Sequence, residues 1–470
     1  MAICRGLFML KNILGEYMIH CYEALGLKIA LDVGSGSVHL PDDIAYEALK
    51  RWDSHTHEEI VEILNKQFEA SAVKDTMQEL LEMKEEGLID VSDTYTDEEL
   101  KREGPSVIKA MCLLVAHDCN MRCKYCFADT GEFHMSNRTM LKLDTGKKAL
   151  EWLVKKSGNR KNIEVDFFGG EPMMNIKVVK ELVAYGRELE KIHNKKFKFT
   201  ITTNALHITD DIIEFCNKEM DNVVISIDGR KEVHDKMRPG VGGQSCYDRV
   251  LHNAKKLVEA RNQQQYYVRG TYTQHNKDFG EDIFYLADQG FEQISIEPVV
   301  APETEEYALT EKDYEDLCNE YDKLAVRYLE RRKNGKWFSF FHYNVDLSGG
   351  PCIKKRLNGC GVGNEYVAVS ADGDIYPCHQ FVGKNEFLMG SVLNESFDTY
   401  MQGVFANNHV LNKEKCRNCW AKFHCSGGCT ANAYSFNNNI NIPHDFECSI
   451  ERKRLENAIA IYIHEKLAEA

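Results

Sequence analysis

The chain has 470 residues, 43% hydrophobic and 28% charged, which is too long for one ordinary domain and too apolar for disorder throughout. Its 58 Lys and Arg against 73 Asp and Glu leave a formal net charge of −15, which argues against nucleic acid as the main partner, because phosphate binding needs a basic surface. No run of 18 or more apolar residues occurs, so no membrane-spanning helix is expected.

Residues 1–17 place Arg5 and Lys11 around a short apolar patch with no small-residue cleavage site behind it. They read as a ragged extension rather than an export signal, with Met18 an alternative start, and the protein is expected to be cytoplasmic. Seventeen cysteines in such a chain suit metal ligands or catalytic thiols better than disulfides.

Residues 18–100 read as a separate small module. Leu25–Val33 has the content of a strand, Gly34-Ser35-Gly36 of a turn, and Ser37–Leu40 of a return strand. Three helices are expected next: Ile44–Trp52 behind Pro41-Asp42-Asp43, one from His57, and Ser71–Glu86 closed by Gly87. A hairpin and three helices make a winged-helix-like arrangement. From Asp42 to Glu103 there are 19 acids and 7 bases, a local −12. That is either a solvated acidic face or a dock for a basic peptide.

Residues 105–310 alternate strands and helices. Strand-like runs are Ile108–Val115, Ile163–Phe168, Phe197–Thr202, Val223–Ile227, Tyr267–Thr273 and Gln293–Val299. Helical patterns at Leu143–Lys156, Lys177–His193 and Asp210–Lys218 lie between them. Such alternation implies an α/β fold with a parallel sheet, here a partial (β/α)6 TIM-like barrel, whose chemistry belongs at the carboxyl ends of the strands. Residues 311–350 read as a helical bridge. Residues 351–470 are Cys-dense, with weak helical periodicity before Ile450–Leu467, and are expected to need staples or metal to fold.

Three motifs carry chemistry. Cys119-x3-Cys123-x2-Cys126, in HDCNMRCKYCF, follows the first strand of the alternating region. Three thiolates at this spacing can hold three irons of a cubane cluster and leave the fourth open. A zinc site completed by His117 is the alternative. Gly169-Gly170-Glu171-Pro172 ends the second strand, where glycines let backbone approach a ligand closely. Glu171 can accept hydrogen bonds from an ammonium group. In the tail, Cys416-x2-Cys419-x5-Cys425-x3-Cys429 is followed by Cys448 and preceded by Cys352, Cys360 and Cys378. A zinc ribbon is the alternative there, although these spacings do not match paired CxxC knuckles. Isolated Cys4, Cys21, Cys112, Cys216, Cys246 and Cys318 read as small core hydrophobes, and His134 and His379, which flank the cluster motifs, as surface residues or as donors to a cluster ligand.

On CxxxCxxC and GGEP, residues 107–300 resemble the radical S-adenosylmethionine (SAM) superfamily. The resemblance implies that Cys119, Cys123 and Cys126 ligate a [4Fe–4S] cluster whose open iron is chelated by SAM. It places Gly169, Gly170, Glu171 and Pro172 at the methionine ammonium and Tyr125 at the adenine. Ser226 and Asp228 would face the ribose, and Arg238 the SAM carboxylate. Thr202, Asn204 and Glu297-Pro298 would stand at strand ends facing the site. From Cys360 to Cys448 the chain resembles a SPASM domain with two auxiliary [4Fe–4S] clusters. By that pattern Cys419 or Cys416, with Cys425 and Cys448, builds the outer cluster. Cys360, Cys378 and Cys429 build the inner one, with Cys352 its fourth ligand or its iron left open.

Three segments, LKIALDVGSGSVHLPDDIAYE, MCLLVAHDCNMRCKYCFADTGEF and the tail, resemble maturases of six-cysteine (SCIFF) peptides. That resemblance implies an N-terminal peptide-recognition domain that takes a leader peptide as an added strand. It also implies thioether formation in a ribosomal precursor peptide, with SAM, three clusters and an electron donor such as flavodoxin or ferredoxin. No nucleic acid or membrane partner is expected. The rival readings are formylglycine formation of the anaerobic sulfatase-maturing type, carbon–carbon cross-linking of a cofactor precursor peptide, and a zinc-binding peptide chaperone without catalysis.

Overall fold

The computed structural model describes residues 18–93, 95, 106–135, 138–347 and 356–469, so Cys4 and Cys352 lie outside the described residues. The chain divides into two compact units. One comprises 1–102, 346–354 and 418–423; the other comprises 103–345, 355–417 and 424–470.

In the first unit, β1 (Ile19–Ala24), β2 (Leu27–Asp32) and β3 (Val38–His39) form an antiparallel sheet in that order. The expected strand Leu25–Val33 is thereby corrected. Leu25 and Gly26 have φ of 51° and 79° and form the two-residue loop between β1 and β2. Positive φ at both loop positions matches the twist of the strands they join. β1, with the sequence IHCYEA, escapes a search for apolar runs because polar side chains interrupt it. Helices Asp43–Leu49, His57–Leu64 and Ala70–Glu85 follow. Asp42 caps the first, and Thr56 with Glu59 forms a capping box on the second. Ile19, Ala30, Leu49, Trp52, Leu64 and Met77 meet in the core. Within this unit the His20 ring stacks on Trp420 at 4.0 Å, and buried Lys422 pairs with buried Asp93 at 2.5 Å.

The second unit is built on an open sheet. Its central strands run in chain order: β4 (Ala110–Ala116), β5 (Asn162–Gly169), β6 (Lys196–Thr203), β7 (Asn222–Ser226), β8 (Tyr266–Tyr272) and β9 (Gln293–Pro298). All are parallel, and the helices between them make the partial barrel expected from the alternation. β10 (Ser339–Phe340) adds parallel to β9, and β11 (Tyr366–Val369) adds parallel to β4. β12 (Asp374–Tyr376), β13 (Gly390–Ser391) and β14 (Ser396–Phe397) continue as an antiparallel meander. In β5 and β6 full burial alternates with partial exposure. One face therefore packs under helices while the other looks into the barrel.

The tail's buried apolar residues join those of the barrel. Tyr376, Phe381, Val382, Phe387 and Phe405 are buried together with Cys112, Leu114 and Phe133, so the tail shares the barrel's core. Its apolar residues are dispersed without period and escape a windowed reading. The helix Tyr314–Lys333 packs on the final helix Asp445–Glu469, with Lys453–Asp322 at 2.6 Å and Arg332–Glu465 at 2.7 Å. Among the described residues no helix is long and apolar enough to cross a membrane.

Candidate functional site at the carboxyl ends of the barrel strands

The loop after β4 carries Cys119, Cys123 and Cys126. It is zipped onto the segment 237–240: Arg122 N–H donates to Pro239 O at 2.8 Å and Lys124 N–H to Met237 O at 2.9 Å. Donors already point at the sulfurs. Cys119 Sγ accepts from Met121 N at 3.4 Å and from Asn204 Nδ2 at 3.7 Å; Cys126 Sγ accepts from Thr130 N at 3.3 Å. Burial pushes the Cys119 thiol up to about 12 and the Cys123 thiol to about 11. As bare thiols they would stay protonated, and a coordinated metal would deprotonate them.

The two glycines ending β5 serve this loop. A Cβ on Gly169 would lie 2.3 Å from Ala116 O, and one on Gly170 2.1 Å from Asp118 O. Gly170 N–H donates to Ala116 O at 2.8 Å and Glu171 N–H to Asp118 O at 2.9 Å. Both glycines let the end of β5 approach Ala116 and Asp118 at the start of the cysteine loop. The buried Glu171 carboxylate accepts from Thr203 Oγ1 at 2.7 Å, Asn204 N at 2.7 Å and Met173 N at 3.0 Å. It thus ties the end of β5 to the end of β6. Thr203 was missed by the sequence reading, and only its place on the helix-covered face distinguishes it from Thr202.

Tyr125, Asp228 and Arg238 form a hydrogen-bonded chain. The Tyr125 hydroxyl donates to the Asp228 carboxylate at 2.8 Å and accepts from Arg238 Nη1 at 2.8 Å. Asp228 also accepts Thr271 N–H at 3.1 Å. Burial raises its carboxyl to about 6, with Arg238 opposing. Arg238 Nε is buried without a partner. Thr202 and Ser226 are half-buried near the ends of β6 and β7. His117, the possible zinc ligand, is fully buried and accepts Ala371 N–H at Nε2, 3.2 Å away.

The barrel face holds further titratable groups that the motifs did not indicate. Asp166 on β5 has one carboxylate oxygen buried without a partner, and burial raises it to about 7 with Arg269 opposing. Arg269 itself pairs with Glu297 at 2.9 Å. His379 is half-buried: its ring lies 5.1 Å from Phe168 and 5.2 Å from Phe127, and burial lowers it to about 4. His134 is exposed, as expected.

In the second unit the tail cysteines fall into two neighbourhoods. Cys360 and Cys429 bear on buried Cys378, which takes backbone donors from Gln380 and Phe381; Cys429 takes them from Ala431 and Asn432. Cys416 and Cys448 bear on Cys425, which takes a donor from Gly427. Backbone N–H groups aimed at sulfur suit thiolate ligands. Among the described residues no three Cys, His, Asp or Glu side chains enclose a single metal ion.

Residues 113–273 match the radical SAM superfamily, and residues 360–420 match SPASM, an iron–sulfur cluster-binding domain. A cysteine-type anaerobic sulfatase-maturating enzyme of Clostridium novyi is 26% identical over 350 residues, 69% of this chain and 89% of that protein. Radical SAM cyclopropyl synthase TigE of Paramaledivibacter caminithermalis is 23% identical over 366 residues, 72% of each chain. Native anSMEcpe with bound AdoMet shares the fold with a TM-score of 0.61 at 20% identity, over 76% of this chain and 98% of its own. Streptococcus suis SuiB bound to S-adenosylmethionine does so with a TM-score of 0.52 at 17% identity, over 92% and 98%. The two domains indicate iron–sulfur clusters and SAM binding, and the chain is a radical SAM enzyme with a SPASM domain.

Proposed function

We propose that this enzyme links a cysteine sulfur to a carbon of another residue in a ribosomally made precursor peptide. The observation that carries the reading is the first unit, an antiparallel sheet with three helices added to the two matched domains. The anSMEcpe fold leaves about a quarter of this chain uncovered, a share the size of that unit, whereas SuiB covers 92%. In this reading residues 18–100 recognise the leader, 105–310 bind SAM, 311–350 bridge, and 351–470 hold two auxiliary clusters. A flavodoxin or ferredoxin supplies the electron.

Cys119, Cys123 and Cys126 would hold the SAM-binding cluster; Cys360, Cys378 and Cys429 one auxiliary cluster; and Cys416, Cys425 and Cys448 the other. Cys352 and Cys419 remain candidate fourth ligands. When bound, the first cluster would supply the electron for reductive cleavage of SAM, and an auxiliary cluster would be the acceptor for the electron released as sulfur joins carbon. The chain's own part is positional. Glu171 and the two glycines hold the cysteine loop against β5 and β6. The Tyr125–Asp228–Arg238 chain fixes a buried, charged wall for SAM, with Arg238 Nε free to meet its carboxylate. Asp166, with one buried carboxylate oxygen unpartnered on the barrel face, would receive the proton of the donor thiol.

The test is anaerobic incubation with SAM, a reductant and a cysteine-rich precursor peptide, read by mass spectrometry. A thioether removes two hydrogens per link and protects one thiol from alkylation. A second reading, oxidation of a side chain to formylglycine, is favoured by the Clostridium novyi relative. It would instead replace cysteine sulfur by oxygen.

A further inference from the structure

Lys413 is buried, at 2% exposure, in the second unit. Its Nζ makes one hydrogen bond, to Gly427 O at 3.0 Å. Gly427 has φ +91°, flanked by Ser426 at +58° and Gly428 at +69°, so the turn between Cys425 and Cys429 is wound to present that carbonyl. No carboxylate pairs with the ammonium among the described residues. Burial pushes the pKa of the ammonium down, and Cys416, Cys425, Cys448 and Cys429 oppose that shift.

The other buried lysine of this stretch, Lys422, shows the usual solution, a buried carboxylate in Asp93. A buried charge without a counter-charge costs several kcal/mol. At Lys413 that cost is met either by loss of the proton or by an anion that forms where those sulfurs are. A [4Fe–4S] cluster counted with four thiolates is a dianion when oxidised and a trianion when reduced.

We propose that Lys413 is the fixed counter-cation of the auxiliary cluster held by Cys416, Cys425 and Cys448, and that its ammonium raises that cluster's reduction potential. The inference rests on the assignment of those three cysteines to a cluster in the reading above. Reduction adds one electron and no proton, and a cation held in place favours the trianion over the dianion. The electron comes from the radical anion that forms when the donor thiolate adds to the acceptor carbon radical. Its departure leaves a neutral thioether. Lys413 touches neither substrate nor SAM in this scheme; it is a positioning residue for charge.

The experiment uses the full-length chain, reconstituted anaerobically, carrying Cys119→Ala, Cys123→Ala and Cys126→Ala so that only auxiliary clusters contribute. Redox titration is followed by electron paramagnetic resonance, with iron counted in each sample. Lys413→Met should retain the auxiliary iron. One of the two couples should show at least a tenfold fall in its equilibrium constant for reduction, about 59 mV for one electron. Lys413→Arg should restore it. Lys413→Gln still reaches the Gly427 carbonyl but carries no charge, so it keeps the test open if the methionine variant fails to assemble. Loss of auxiliary iron in both neutral variants but not in Lys413→Arg would also support a counter-cation. Unchanged couples in a fully loaded neutral variant would overturn the proposal, as would loss of iron in all three variants. A parent chain without auxiliary iron would overturn the cluster assignment as well.

Discussion

Glu171 accepts the backbone N–H of Asn204 at 2.7 Å, and Asn204 in turn directs its side-chain amide at Asn120 Oδ1, 2.8 Å away, and at Cys119 Sγ, 3.7 Å away. One buried carboxylate therefore couples two strand ends to the cysteine loop. Its part in the site is to hold the frame on which a cluster would sit.

Removing that carboxylate strands three donors. Glu171→Ala should destabilise the protein by roughly 2–4 kcal/mol, since each unmet buried donor costs about 1–3 kcal/mol and part of the loss relaxes. It should also lower the iron held by Cys119, Cys123 and Cys126. Glu171→Gln, which keeps one acceptor oxygen, should lie between. Denaturant melts and iron analysis check both.

A methyl group at Gly170 would collide with Asp118 O and press on Cys119. Gly170→Ala should therefore displace the cysteine loop while sparing the tail. After reconstitution, SAM cleavage should fall at least tenfold with auxiliary iron retained, measured as 5′-deoxyadenosine and as iron per chain. Full SAM cleavage would show that the loop moves freely, against the packing described.

Cys119→Ala, Cys123→Ala and Cys126→Ala together should abolish SAM cleavage and take the iron content from about twelve to about eight per chain. Continued 5′-deoxyadenosine production, or a fall to zero iron, would contradict separate cluster sites.

Asp166 sets a pH dependence. Burial raises its carboxyl from an ordinary value near 4 to about 7, so between those values the native state holds more protons than the unfolded chain. Its contribution to stability is then present at low pH and is lost as pH rises from about 4 to about 7. Asp166→Asn removes the titration, and its melting temperature relative to the parent should climb by a few degrees between pH 5 and pH 8. A constant difference would mean that Arg269 or water already neutralises the charge.

Asp93 and Lys422 are both buried, at 3% exposure each. Asp93→Ala leaves the ammonium inside without its carboxylate and should cost roughly 3–5 kcal/mol. The double replacement Asp93→Leu with Lys422→Met should recover most of it. The same pair bears on the peptide-recognition reading: deleting residues 18–100 would remove Asp93 from Lys422, so point variants on the sheet are the cleaner test of leader binding.

Local chemistry was legible in the sequence. Alternation of apolar strands with amphipathic helices reported β4–β9 to within two or three residues, because a parallel sheet buried under crossovers leaves continuous apolar runs. The cysteine spacings and the GGEP segment marked the strand ends that matter. What needed the tertiary structure depends on contacts distant in sequence. β1 was hidden because a polar-rich strand is recognised only by its partner β2. That the two glycines also admit Ala116 and Asp118 is seen only once β4 and β5 are paired. His379 is half-buried only because Phe127 and Phe168 pack against it, and the burial of Lys413 follows from the turn at Gly427 that takes its ammonium. Spacing along the chain determined which residues have the chemistry; the burial that sets their charge states was decided by packing between elements, because desolvation is a property of what surrounds a group and not of its neighbours in sequence.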